Sequence, residues 1–276
     1  MTAAQLQAIE WPTFVRYSWK RAPFKNLRYY EFAEYPGSQF VGVTTVLDPV
    51  LGFGKEGLMR WGVGIERAAG LEAIARVHKP AMGTSALVVA VNAAMKGTRA
   101  DVEAKEKAGD IGTAAHDKIH WWLRRELGIP TDAEPEVGDA SEWAFMSAQD
   151  WFRASKLKPL LMEQPVVIPS EGVAGTFDLW AEDPELGPGL IDYKSSKYVY
   201  ESHHIQVAQY CHMLKTAGIP IQWAKIVRIP KDGKRPDVEV VNLGDCYGGR
   251  KVSEADLVTG FRAALFLYRK FVEPAE

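Results

Sequence analysis

Apolar and polar positions change rhythm several times along the chain. Up to about residue 50 the pattern is short and strand-like, with Tyr29-Tyr-Glu-Phe-Ala-Glu-Tyr35 and Phe40-Val-Gly-Val-Thr-Thr-Val-Leu47 as the best strand segments. From Lys55 to about Ala108 an Ala-rich pattern predicts helices, including Leu58 to Ala75 and Ser85 to Lys96. A further helix is expected over Thr113 to Leu127, where Gly128-Ile-Pro-Thr131 breaks the pattern, and another over Ser141 to Ser155. Strands follow at Leu160 to Ile168, Gly172 to Trp180 and Leu190 to Lys194. His203 to Thr216 reads as a helix ended by Gly218, and Gln222 to Ile229 pairs with Val238 to Leu243 as a hairpin around Lys231-Asp-Gly-Lys-Arg-Pro236. A closing helix covers Ser253 to Phe271.

The order helix, three strands, helix, strand predicts a compact α/β core over 111–276. Residues 1–110 form a strand and helical elaboration packed on it. Fold class alone does not give function.

Composition narrows the field. With 276 residues, 47% hydrophobic and 25% charged, the chain has the make-up of a soluble globular protein with a full α/β interior. A net charge of −2 gives no global footprint for nucleic acid, so a polyanion site must be a local basic patch or be made by bound metal. No apolar run is long enough to cross a bilayer, and Met1-Thr-Ala-Ala-Gln-Leu-Gln7 lacks the basic and apolar regions of a secretion signal. Cys211 and Cys246 are too few for a disulfide framework or a four-cysteine zinc or iron–sulfur site. A reducing cytoplasm is the expected location, bacterial or that of a phage-infected host.

The densest chemistry lies in Gly175-Thr-Phe-Asp-Leu-Trp-Ala-Glu-Asp-Pro-Glu-Leu-Gly-Pro-Gly-Leu-Ile-Asp-Tyr-Lys194. Two apolar runs flank a turn-rich segment, and each carries one carboxylate. A loop centred near Glu185 sets Asp178 opposite Asp192. Like charges directly opposite destabilise a strand pair, and two such close carboxylates do not both stay ionised without a cation between them. Alternation puts Asp192 and Lys194 on one face and Ile191 and Tyr193 on the other. The pattern suits a divalent-metal site with an ammonium group beside it; a surface hairpin with scattered charges is the bland alternative. Gln206 and Tyr210, four apart, share one face of the following helix.

Taken in order, His116, Glu163, Gly175-x-x-Asp178, Asp192-x-Lys194 and Gln206-x-x-x-Tyr210 resemble the PD-(D/E)XK nuclease superfamily. They look most like the RecB/Cas4-type exonucleases of bacteria and phages, with relatives in mitochondrial genome maintenance. The motif-bearing match runs from Gly112 to about Tyr210; Val43-Thr-Thr-Val-Leu47 and Leu58-Met-Arg-Trp61 resemble the family's opening strand and first helix. Two features depart from the pattern. Where the family often has an acid four residues after the histidine, this chain has His120, and two cysteines cannot hold the cluster that many Cas4-like members carry. A Gly-x-x-x-x-Gly-Lys-Ser/Thr loop is also absent, so no ATP-driven motor is expected within the sequence.

The resemblance implies a restriction-endonuclease-like core, a central mixed sheet flanked by helices, and metal-dependent hydrolysis of DNA in recombination, repair or end processing. It implies that Asp178, Asp192, the Tyr193 backbone carbonyl and His116 hold Mg²⁺ or Mn²⁺, with Glu163 on a second ion or capping a strand. Lys194 would serve the attacking water, and Gln206 and Tyr210 would grip the substrate strand. Arg60 and Trp61 are the best stacking pair for a DNA strand with a free or single-stranded end. A recombination or helicase partner is the expected associate. Two rivals stand beside this reading: an inactive nuclease fold kept as a DNA-binding subunit, and a zinc protease built on His116-Asp-Lys-Ile-His120, one methylene short of the His-Glu-x-x-His signature.

Overall fold

The computed structural model describes residues 9–21, 26–51, 55–96, 99–229 and 238–274. Its helices are α1 (Val43–Val50), α2 (Lys55–Val77), α3 (Thr84–Met95), α4 (Ala100–Glu126), α5 (Asp139–Ser155), α6 (Glu201–Thr216) and α7 (Glu254–Phe271). Its strands are β1 (Phe14–Arg21), β2 (Asn26–Phe32), β3 (Phe40–Gly42), β4 (Lys158–Ile168), β5 (Val173–Asp183), β6 (Gly187–Lys194), β7 (Trp223–Arg228) and β8 (Glu239–Asn242), with a small β9/β10 pair at Asp245–Cys246 and Arg250–Lys251. The chain divides into two compact units, one of residues 1–52 with 114–276 and one of residues 53–113. The expected cut set 1–110 apart from 111–276. The backbone instead joins the first strands to the later ones, because β3 runs parallel to β5 with Val41 opposite Val173 and Gly42 opposite Ala174.

The larger unit is α/β. A mixed eight-stranded sheet runs β1-β2-β3-β5-β6-β7-β8, with β4 paired along β5. β3/β5 and β6/β7 are parallel and the other pairs antiparallel. One face packs Val166, Val173, Phe177, Trp180, Leu190 and Ile226 against α1, α6 and α7. The opposite face packs Met162, Leu179, Ala181, Ile191, Tyr193 and Val227 against α5 and the C-terminal half of α4. In the smaller unit, the first turn of α4 is tied to α2 by a bond from Asp101 N to Glu66 Oε1 of 3.0 Å. Among the described residues no helix is long and apolar enough to cross a membrane.

One local expectation gives way. Val43–Leu47, rich in β-branched residues, is helical rather than extended. Val43, Val46 and Leu47 then fall at i, i+3 and i+4 on one buried face, and Thr45 Oγ1 donates to Arg28 O at 3.3 Å. Burial of that stripe outweighs the modest strand preference of its residues. β1, inside the stretch expected to be strand-rich, alternates over Arg16-Tyr-Ser-Trp-Lys20 and pairs with β2, Tyr17 opposite Tyr30 and Trp19 opposite Arg28.

The β5/β6 turn is built from side-chain chemistry. Asp183 Oδ1 accepts from the amides of Glu185 (2.9 Å) and Leu186 (3.0 Å). Gly189 lies opposite Trp223, whose Nε1 donates to Gly187 O at 2.8 Å. A Cβ on Gly189 would overlap the indole of Trp223. Gly189→Ala is therefore expected to destabilise the fold by about 1–3 kcal/mol. In urea titrations the Gly189→Ala/Trp223→Ala pair should lose less than the sum of its single variants; strictly additive losses would show that ring overlap is not the cause.

Candidate active site

The β5/β6 ladder runs from Asp183 opposite Gly187 to Leu179 opposite Ile191. One step further this register sets Asp178 opposite Asp192, as the sequence arithmetic has it. There the ladder stops. Asp178 Oδ2 instead accepts the amide of Tyr193 at 2.7 Å.

The cause is a change of face. Phe177 packs with the α6/α7 cluster and Leu179, two residues on, with the α4/α5 cluster. Across β4 the same switch separates Val166 from Met162. Gln164 still pairs with Phe177 and Met162 with Leu179, so the two strands turn over together at Glu163 and Asp178. Glu163 takes the turn in a left-handed conformation, φ 49°. For a residue with a Cβ that costs about 1–2 kcal/mol.

Polar groups from five elements, β4, β5, β6, α4 and α6, gather around the turn-over. Asp192, on β6, is 1% exposed, and among the described residues neither of its carboxylate oxygens has a hydrogen-bond partner. The Lys194 ammonium lies 2.5 Å from Asp192 Oδ2 as a close ion-pair contact without hydrogen-bond alignment. Burial raises the Asp192 pKa to about 6, with Lys194 opposing the rise and Asp178 adding to it. Burial also raises Asp178, while Lys194, His120 and the Tyr193 amide pull it back.

From α4, the His116 ring meets the Tyr193 ring edge-on, centroids 6.1 Å apart. Burial, with His120 and Lys194 adding to it, lowers the His116 pKa to about 3. Its imidazole is neutral at physiological pH, the form that ligates a metal. One turn on, His120 is buried with Nδ1 2.5 Å from Glu163 Oε1, again off hydrogen-bond alignment. Burial alone would raise Glu163; contact with His120 and the field of His116 hold it below the usual carboxylate range. The rings of His116 and His120 meet edge to face, centroids 6.2 Å apart.

From α6, Gln206 Nε2 donates to Tyr210 Oη at 3.2 Å. Gly175 explains how close this helix comes: a Cβ there would sit 2.5 Å from Tyr210 Cε1, so the glycine of the Gly-x-x-Asp motif makes room for the tyrosine of the Gln-x-x-x-Tyr motif. Burial, then Tyr30 and Asp192, push the Tyr210 hydroxyl well above its ordinary pKa.

His203 is the member that sequence reasoning missed. It precedes Gln206 and Tyr210 at i, i+3 and i+7 on one helix face. Its Nδ1 accepts the amide of Tyr200 at 3.2 Å, and burial, with Lys194 next, lowers its pKa to about 3. The spacing was the available signal. Arg60 and Trp61 lie on α2 with their side chains outside the described residues.

The motifs of β5, β6, α4 and α6 thus meet at one sheet end. Among the described residues no three His, Cys, Asp or Glu side chains stand close enough to hold an ion as arranged. The Asp192 carboxylate nevertheless fits a cation, being buried and raised in pKa with the Lys194 ammonium as its one close donor among the described residues.

The raised Asp192 pKa has a measurable consequence. Below about pH 4 folded and unfolded chains both hold the proton; between about 4 and 6 only the folded chain does, so stability falls as pH rises through that window. His116 and His203 act with opposite sign, their stability being lost as pH falls from about 6.5 toward 3. Those histidine contributions largely cancel between wild type and Asp192→Asn. In chelator the variant should match wild type near pH 4 and exceed it by on the order of 2 kcal/mol at pH 7. Thermal or urea midpoints across that range test it, and a variant weaker than wild type at pH 7 would mean the carboxylate is already satisfied.

No protein-family model matches the chain, and no curated protein matches it.

Proposed function

We propose that the chain is a metal-dependent DNA exonuclease with a restriction-endonuclease-like core, of the RecB/Cas4 type in the PD-(D/E)XK superfamily. The observation that carries this is the Asp192 carboxylate, wholly buried against the Lys194 ammonium and in register with Asp178. A structural ion pair in a core has no need of a second acid there, since like charges at close range raise each other's pKa.

In this reading Asp178, Asp192, the Tyr193 carbonyl and His116 would hold Mg²⁺ or Mn²⁺, with Glu163 in place for a second ion. When bound, the metal neutralises the scissile phosphate and acidifies the attacking water. Lys194, as its ammonium, would donate a hydrogen bond that orients that water, and its charge would oppose the negative charge that grows on the phosphate, the water's proton leaving to a phosphate oxygen or to solvent. Gln206 and Tyr210 form a fixed donor pair beside the acids and orient the substrate strand. His203 carries no charge at neutral pH, so it leaves the Lys194 charge in place without a second cation beside it. The substrate is DNA with a free or single-stranded end, processed in recombination or repair in a bacterial or phage-infected cytoplasm, alone or with a helicase or recombination partner.

End-labelled linear DNA should be degraded with Mg²⁺ or Mn²⁺, without ATP, and not in excess chelator. Binding without cleavage under every metal would instead support a DNA-binding subunit. Lys194→Ala and Asp192→Asn should separate. The first keeps its acids, so calorimetric Mn²⁺ binding should persist while turnover falls by about 10²-fold or more; the second should lose the metal. If Lys194→Ala cleaves at the wild-type rate, the role given to Lys194 is wrong. His116→Ala should depress cleavage far more than His120→Ala, whereas equal losses with co-purifying zinc would favour the protease-like arrangement.

A further inference from the structure

Away from the acids, the β1/β2 hairpin leaves one sheet face open. Leu27 and Tyr29 point into the main core, whereas Tyr30 and Phe32 belong to the small cluster on the opposite side. On that side β1 contributes Tyr17, Trp19 and Arg21, and β2 contributes Arg28 and Tyr30. Trp19 is 61% exposed and Tyr17 39%. The Arg28 guanidinium lies over the rings of Tyr17 (4.9 Å) and Tyr30 (5.5 Å), and those two rings meet edge-on at 5.0 Å.

The stripe reaches β5, the strand that carries Asp178. Tyr30 Oη is 3.4 Å from Thr176 Oγ1 on β5, two residues before Asp178 and next to the glycine that accommodates Tyr210. From Trp19 to Thr176 is three strand spacings, about 14 Å, which is the length of several stacked bases at ~3.4 Å each. None of its positions is acidic, although the chain as a whole carries a net charge of −2.

We propose that this hairpin face is a binding track for single-stranded DNA, guiding one strand to the carboxylates. The proposal rests on the nuclease reading for its direction. Two exposed rings flanked by guanidinium groups match the chemistry of an unpaired strand: bases stack on Trp19 and Tyr17, and phosphates meet Arg21 and Arg28. A duplex keeps its base faces covered and gains only the charge. A protein partner would also use Trp, Tyr and Arg, yet the contact with Thr176, two residues from Asp178 on the same strand, favours the polymer that the site would cut.

Fluorescence anisotropy of a labelled oligothymidylate in chelator reads binding without cleavage. Trp19→Ala should weaken it roughly five- to tenfold, Trp19→Phe should restore most of the affinity, and Arg21→Glu should weaken it further at low salt. Phe271→Ala, on the exposed end of α7, should change nothing. Wild type should prefer the oligothymidylate over a blunt duplex of equal length. Unchanged affinity in Trp19→Ala overturns the proposal, as does a wild-type self-association, seen by light scattering, that the same substitution abolishes. Cleavage of linear duplex with Mn²⁺ is scored separately. Trp19-dependent binding without cleavage keeps the track and removes the nuclease reading; cleavage with Trp19-independent binding does the reverse.

Discussion

Two paired strands turning over together is the constraint on which the site depends. β4 and β5 keep their register through Gln164–Phe177 and Met162–Leu179 while their side chains change sides between those pairs. Glu163 absorbs the turn at φ 49°, and Asp178 leaves the ladder to accept the Tyr193 amide. Without the turn-over, Asp178 would continue the alternation of Val173 and Phe177, and its carboxylate would not reach the end of β6. The strain at Glu163 is small beside the contacts of Phe177, Leu179 and Trp180, all wholly buried, which lock the strand on either side.

Desolvation then sets the charge state. It lifts Asp192 toward neutrality and drives His116 and His203 toward neutrality from the other direction. In the metal-free protein every one of these groups is pushed toward its uncharged form. In the proposed metal-dependent reading, a divalent cation would reverse that preference for the carboxylates and leave the imidazoles as they are.

Much of this was legible in the sequence. The turn residues around Asp183 fix the β5/β6 register, so the facing of Asp178 and Asp192 followed from arithmetic on the loop centre. The four-residue spacing of Gln206 and Tyr210 gave their common helix face. What was hidden depends on contacts distant in sequence. No local pattern announces that Val43–Leu47 prefers a helix once α6 and α7 are present to cover it, or that α4 begins at Ala100 rather than Thr113. The left-handed Glu163 is invisible because glutamate has no intrinsic taste for that conformation; the turn-over imposes it. His203 escaped because it stands one turn ahead of a recognisable pair.

The outer strand of the sheet raises a separate matter. β1 borders the sheet with one side of its backbone outside the β1/β2 ladder, the usual template for edge-to-edge pairing between molecules. Arg16, Lys20 and Arg21 sit along it, so a second copy approaching in either direction brings cations toward cations. Arg16 is paired within the hairpin with Glu31 at 2.7 Å. The same residues thus act as gatekeepers against aggregation, and colloidal stability of the protein is tied to the ionic strength that screens them.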